Sequence, residues 1–269
     1  MTDATLGPDT AELLRLAEKV AREAGHLIVD ERPAALRVGS KSSDTDPVTE
    51  MDQAAERLLV ERIRAARPDD GFLGEEGAAI TGTTGVTWVI DPIDGTVNYL
   101  YSIPAYAVSV GVRVGEAVVA GAVVNPVTDE VWTARRGHGA WLNGRPVTVN
   151  DPPALAMALV GTGFGYDAAR RARQADILRE VVPRVRDVRR AGSASLDLCA
   201  VACGRLDAYF ERGLNPWDLA AGGLIALEAG ATVGGLRGRE AGPDMVLAAP
   251  GGLFEPLEEM LAGLDADRD

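Results

Sequence analysis

A mixed α/β fold is the class this chain predicts, on three observations. Apolar residues recur at helical spacing over two N-terminal stretches. Short apolar runs separated by turn residues follow, as in an antiparallel meander. From Ala156 onward, strand-like and helix-like stretches alternate, which reads as a mixed sheet covered by helices.

The elements can be justified in order. The helical patterns span residues 10–30 and 49–67, and each ends near a proline. Between them lies the polar loop Lys41-Ser42-Ser43-Asp44-Thr45-Asp46-Pro47-Val48-Thr49-Glu50-Met51-Asp52. Thr49 and Asp52 stand there at capping-box spacing, with Asp in place of the usual Glu or Gln, so Asp52 taken alone reads as a helix-start device. Phe72-Leu73-Gly74-Glu75-Glu76-Gly77 is a short apolar step that ends in two acids between glycines, one expected to point inward. Residues 78–85 read as a mobile loop, too short to separate independent domains.

Residues 86–90 read as a buried strand that Pro92 stops, and Asp94-Gly95-Thr96 has the side chains of a helix N-terminus. Strands are expected at 106–114, 117–124 and 130–134, with a tight turn at Asn143-Gly144. A further apolar strand over 156–160 runs into Gly161-x-Gly163-x-Gly165. That run fails the GxGxxG spacing of dinucleotide binding, because position 166 is Tyr. Near the C-terminal third a strand ends at Phe210-Glu211, and Pro216-Trp217-Asp218 opens an apolar helix over 219–229, where Asp218 again has a plain capping role open to it.

At 269 residues the chain is long enough to bury a sizeable core, and with no linker in view it reads as one unit over 1–269. A net charge of −13 disfavours nonspecific binding to nucleic acid. The Arg170-Arg171-Ala172-Arg173 run and the Arg189-Arg190 pair read as helix-surface and strand-edge charges, with a dimer interface open to Arg190. Met1-Thr2-Asp3-Ala4-Thr5 lacks the basic and apolar regions of a signal peptide, and no apolar stretch is long enough to span a bilayer. Two cysteines, Cys199 and Cys203, four apart on an expected helix, read as small core residues, so a reducing cytoplasm is the expected compartment. The only histidines, His26 and His138, lie in no acidic segment, which leaves a histidine-dependent nucleophile or a zinc site without its parts.

What chemistry there is lies in acids at element ends. In Trp88-Val89-Ile90-Asp91-Pro92-Ile93-Asp94-Gly95-Thr96, two carboxylates stand three residues apart where a strand gives way to a glycine turn. A helix N-terminus offers unpaired N–H groups to an anion, so such a turn can hold a phosphate beside metal ions bound by Asp91 and Asp94. For an isolated DxxD, a helix cap and a turn former would suffice. Four separate segments ending in acids make the stronger case.

Together the Glu75-Glu76 pair, Asp-Pro-Ile-Asp-Gly-Thr at 91–96 and Trp217-Asp218 resemble the inositol monophosphatase family of metal-dependent, lithium-sensitive phosphatases. The stretches 161–166, 187–198 and 204–211 resemble its bacterial, SuhB-type branch. The resemblance implies a five-layer αβαβα sandwich of the α+β class and a homodimer. It implies two or three Mg2+ ions, with Mn2+ as a substitute: Glu75, Asp91 and the Ile93 carbonyl on the first, and Asp91, Asp94 and Asp218 on the second. Thr96 and Asp52 match the pair that orients the attacking water, and Glu75 places another water or a third ion. Gly95 and Thr96 amides would bind phosphate, while Asp94, Gly192, Ser193, Ala194 and Glu211 match positions lining a polyol ring. Myo-inositol 1-phosphate is the expected substrate. Histidinol phosphate, fructose 1,6-bisphosphate and adenosine 3′,5′-bisphosphate remain open on the same scaffold, as does a regulatory role with the transcription machinery.

Overall fold

A computed structural model describes residues 8–268; the leaderless reading of residues 1–5 falls outside the described residues. Helix α1 (Thr10–Asp30) starts at Asp9, whose side chain accepts from the Ala11 N–H at 2.9 Å. A hairpin of β1 (Val38–Ser40) and β2 (Pro47–Thr49) leads into α2 (Glu50–Ala66). Then come β3 (Gly71–Gly74), β4 (Ala79–Ile80), β5 (Val86–Asp94), the short helix α3 (Thr96–Leu100), β6 (Ala107–Val114), β7 (Ala117–Asn125), β8 (Glu130–Arg135), β9 (Ala140–Leu142) and β10 (Arg145–Val147). These strands form an eight-stranded sheet in the order β10-β9-β8-β7-β6-β5-β3-β4, antiparallel except where β3 meets β5. Asn143 and Gly144, at φ 48° and 73°, make the turn between β9 and β10.

The second half supplies β11 (Leu159–Thr162), α4 (Ala168–Val181), β12 (Asp187–Arg189), α5 (Ala194–Ala202), β13 (Ala208–Glu211), α6 (Pro216–Glu228), β14 (Ala231–Gly234), β15 (Val246–Pro250) and α7 (Gly251–Gly263). Its five strands are ordered β12-β11-β13-β15-β14, with β11 parallel to both neighbours.

Period-2 alternation sets the layers. On β6, Val108, Val110 and Val112 pack with Leu13, Val20 and Ile28 of α1 and with Leu59 and Ile63 of α2. Ala107 faces the other way, into a cluster with Ala221, Leu224 and Ile225 of α6 and Cys199 of α5. On the second sheet, Tyr209, Val246 and Ala248 meet α5 and α6. Their neighbours Phe210, Leu247 and Ala249 meet Ile177 and Val181 of α4 and Leu253 and Leu257 of α7. Two outer helix pairs, two sheets and a shared middle pair give the five layers.

The middle pair lies close on the first sheet because Gly111 and Gly121, partners across β6 and β7, have no side chain. A Cβ on Gly111 would stand 2.7 Å from Ala220 Cβ, and one on Gly121 would stand 2.9 Å from Ala221 Cα.

Several expectations change in detail. The strand expected to stop at Pro92 continues to Asp94, and its register against β6 breaks between Asp91 and Asp94, where Pro92 has no N–H to donate. The loop expected over 78–85 contains β4, paired with β3 as an edge strand. The strand expected over 156–160 begins at Leu159, behind a single turn at Leu155–Met157. Cys203 sits just past the end of α5, and both cysteines are free thiols.

Candidate active site

The register break in β5 makes the floor of a cavity of about 420 Å³, walled by the β1–β2 hairpin loop, the 163–167 loop and the N-terminal ends of α3, α5 and α6. Asp91, Ile93, Asp94, Gly95 and Thr96 line it from the first sheet, Gly192 and Ala194 from the entry to α5, Glu211 from the end of β13, and Asp218 from α6. Asp91, Asp94 and Asp218 each offer a carboxylate oxygen, and these oxygens all lie within 4.8 Å of one another. Like charges so close repel by about 4 kcal/mol per pair at an effective dielectric of 20. Burial, and then the neighbouring acids, hold the Asp91 and Asp218 carboxyls well above the usual aspartate range. An all-oxygen donor set of this charge suits a hard divalent cation.

Asp94 is not the cap of α3. That place belongs to Gly95, in the left-handed region at φ 99°, where a side chain would also press on Ala105 O. The Asp94 carboxylate turns instead to the start of α5. Its Oδ2 accepts from the Ser193 hydroxyl at 2.6 Å, the Ser195 hydroxyl at 2.5 Å and the Ser195 N–H at 2.7 Å, and its Oδ1 accepts from the Ala194 N–H at 3.3 Å. Burial raises the Asp94 pKa, while these donors and the dipole of α5 favour its charge. The Ser193 hydroxyl is therefore committed to Asp94 and to capping Leu196 N, whereas Gly192 and Ala194 face the cavity.

Glu75 follows β3 and touches Asp91. Glu56 of α2 shapes this turn, accepting from the Glu76 N–H at 2.8 Å and the Ala78 N–H at 2.9 Å. Both Glu75 and Glu76 face Lys41 of the hairpin loop, whose ammonium lies 2.8 Å from Glu75 Oε1 and also pairs with Glu76. One inward acid was expected, and two are engaged. Burial opposes the Lys41 charge, but Glu75 and then Glu76 outweigh it and raise its pKa. Burial pushes Glu76 up to about 7.

Asp52 caps α2 with one oxygen and turns the other to Thr96, which lines the cavity. Its Oδ2 accepts from the Thr49 N–H at 2.8 Å and the Thr49 hydroxyl at 2.5 Å, closing the expected capping box. Its Oδ1 faces the Thr96 hydroxyl at 3.0 Å, which also lies 3.1 Å from Ile93 O. Asp218 repeats the device, accepting from the Asn215 N–H at 2.6 Å while its carboxylate also contributes to the acid cluster.

The site contains residues that the sequence reading passed over. Arg190, read as a strand-edge charge, lines the cavity, as do Lys41 and Tyr166. The phenol of Tyr166 is pushed up to about 12 by burial and by Asp46, Asp94 and Glu75. Thr45 Oγ1 donates to Tyr166 O at 3.3 Å, tying the hairpin loop to the opposite wall. Asn98 of α3 donates to Ala105 O at 2.7 Å and Ala191 O at 2.8 Å, holding the turn that carries Gly192. Lys41 had a signal, a single lysine in an acidic loop; Arg190 had only its nearness to Gly192.

Fold and acid cluster together define the class as phosphoric monoester hydrolases. The inositol monophosphatase family profile matches residues 9–267. Inositol-1-monophosphatase SuhB of Mycobacterium tuberculosis is 49% identical over 277 residues, covering 95% of this chain and 94% of that protein. Nus factor SuhB of Escherichia coli is 40% identical over 230 residues, covering 84% of this chain and 86% of that one. The solved structure of Mycobacterium tuberculosis SuhB superposes with a TM-score of 0.83 at 45% identity, covering 97% and 99% of the two chains. The chain belongs to the inositol monophosphatase family.

Proposed function

We propose that the chain hydrolyses the phosphate monoester of a small polyol, with myo-inositol 1-phosphate the foremost substrate, using two or three magnesium ions that manganese can replace. The observation that carries this reading is the convergence of the Asp91, Asp94 and Asp218 oxygens within 4.8 Å. Glu75, Asp91 and Ile93 O would hold one ion, and Asp91, Asp94 and Asp218 another. Bound magnesium would supply Lewis acidity toward the phosphoryl oxygens and lower the pKa of a water, in a reaction so slow uncatalysed that enzymes accelerate it by up to roughly 10²¹-fold.

The chain's own groups do the rest. Thr96, with its proton directed to Asp52 Oδ1, keeps a lone pair on Oγ1 to accept from the attacking water. Asp52 draws the proton away through Thr96, and its capping bonds to Thr49 fix its plane. The N–H groups of Gly95 and Thr96 bind the phosphate, and Glu75 places a further water or ion. Gly192, Ala194 and Glu211 bound the ring, where Glu211 accepts polyol hydroxyls, and Ser193 acts through Asp94. The same reading takes the whole chain as one unit, forming a homodimer in the cytoplasm and sensitive to lithium. No helix among the described residues is long and apolar enough to cross a membrane.

A phosphate-release panel with magnesium, across inositol 1-phosphate, histidinol phosphate, fructose 1,6-bisphosphate, adenosine 3′,5′-bisphosphate and glycerol 2-phosphate, tests the reading. Fastest turnover of inositol 1-phosphate is expected, and preference for another substrate reassigns the ring pocket. A second reading, a regulatory partner of the transcription machinery, draws on the relative named Nus factor. Absence of hydrolysis across the panel, with a transcription complex captured from lysate, would favour it.

A further inference from the structure

The Gly161-x-Gly163 run, which suits no dinucleotide, has a partner across the sheet. Strands β11 and β13 are parallel, with Gly161 opposite Tyr209 and Thr162 opposite Phe210, so Gly163 falls opposite Glu211. A Cβ on Gly161 would stand 2.7 Å from Leu206 Cδ1 and 3.2 Å from the Tyr209 ring, and one on Gly163 would overlap the Glu211 carboxylate. Gly163 thus leaves room for the Glu211 side chain opposite it, and Gly161 for Leu206 and the Tyr209 ring together. Tyr209 is fully buried among Leu198, Leu206, Val246 and Ala248 of the middle layers. Its hydroxyl emerges from that core and donates to Glu211 Oε2 at 2.5 Å.

We propose that Gly161-x-Gly163 and Tyr209-x-Glu211 form one cross-strand device that fixes the Glu211 carboxylate toward the polyol ring, with Tyr209 as its positioning residue. The proposal rests on the reading of Glu211 as the acceptor of substrate hydroxyls. A hydroxyl held rigid by the core removes the rotational freedom that a strand-end glutamate otherwise has, and its proton satisfies one carboxylate oxygen, leaving the other for the substrate. A buried tyrosine hydroxyl needs such a partner in any case.

The device also sets charge. Burial pushes Glu211 up to about 7, against which the Tyr209 bond and Arg190 favour the carboxylate, while Asp94 opposes it. Asp197 from α5 and Asp218 from α6 also face it. Preference for the ring substrate is therefore expected to rise with pH through about 7, as Glu211 ionises.

The test measures kcat/KM for inositol 1-phosphate and for glycerol 2-phosphate from pH 5.5 to 8.5 in the wild type, Y209F, G163A and E211Q, with melting temperatures. Taking the ratio of the two substrates cancels changes common to both, including ionisation at the metal site. Y209F is expected to lower the ratio about ten-fold near neutral pH and to move its midpoint upward by about one unit. G163A, whose methyl would overlap the Glu211 carboxylate and displace it from the Tyr209 hydroxyl while leaving the Tyr209 side chain in place, is expected to lower the ratio as well, and E211Q is expected to flatten its pH dependence. An unchanged ratio and midpoint in Y209F, beside a clear effect of E211Q, overturns the positioning role alone. A ratio unmoved by E211Q overturns the reading of Glu211, and the proposal with it. Equal losses on both substrates in Y209F and G163A also overturn it, since they mean damage to the fold or the metal site.

Discussion

The Thr96 hydroxyl reaches 44 residues back along the chain to Asp52 and stands 3.0 Å from its Oδ1. This places a helix-start carboxylate, anchored by Thr49, beside the strand end that carries Asp91 and Asp94. The capping role and the catalytic role proposed for Asp52 therefore use different oxygens of one side chain, and a substitution can separate them.

Asp52→Asn keeps the size of the side chain and one acceptor oxygen. That oxygen can still accept from the Thr49 N–H, so the cap is expected to survive with a loss of stability of at most about 1 kcal/mol. Loss of the charge behind Thr96 is expected to lower kcat by several hundred-fold or more, on the scale of general-base catalysis. Melting curves and kcat on one preparation check both, and near-wild-type turnover would reduce Asp52 to a cap.

Asp91→Asn removes the charge proposed to bridge the ions, at the centre of the repelling cluster. Activity is expected to collapse while the fold survives, because relief of repulsion offsets lost contacts. Chelation of the wild type should abolish hydrolysis and lower the melting temperature, and magnesium should restore both. Full activity after exhaustive chelation would sink the metal reading.

Glu211→Gln tests substrate choice. A charge-assisted hydrogen bond contributes about 1.5–3 kcal/mol, so kcat/KM for inositol 1-phosphate is expected to fall about ten- to one-hundred-fold. Glycerol 2-phosphate, which lacks the ring, should lose far less.

Asp197 gives a prediction in pH. Burial, then Glu211 and Asp94, raises its pKa to about 8, so the folded state holds a proton that the unfolded chain releases near 3.8, the ordinary aspartate value. The stability tied to that proton is fully present below the unfolded value and is lost as pH rises toward about 8. Asp197→Asn, neutral at every pH, is expected to melt above the wild type by a margin that widens from pH 4 and levels off beyond about 8. A margin constant with pH would show that Asp197 is charged in the fold throughout this range.

The helices and the meander were legible because amphipathic spacing and period-2 alternation report directly on which faces are buried. The acids were legible because carboxylates at element ends need a reason to be there. What the sequence hid was direction. Asp94 reads as a cap of the helix that follows it, yet its donors lie on Ser193, Ala194 and Ser195, about 100 residues away. Arg190 and Lys41 reach the cavity only because a strand end and a hairpin are folded over it. Pro92 likewise ends one stretch of pairing without ending the strand, since the register break absorbs its missing N–H.

Gly111 and Gly121 let the backbone of α6 rest on the first sheet, and this makes the acid cluster a gauge of the gap between two layers. Asp91 and Asp94 ride on the sheet, and Asp218 rides on the helix. A single methyl at position 121 would stand 2.9 Å from Ala221 Cα, so sheet or helix must shift, and any such shift acts on the spacing between Asp218 and the acids of the sheet. The cation affinity proposed for the site thus depends partly on residues that have no side chain at all, since Gly111 and Gly121 set the separation at which the acids face one another.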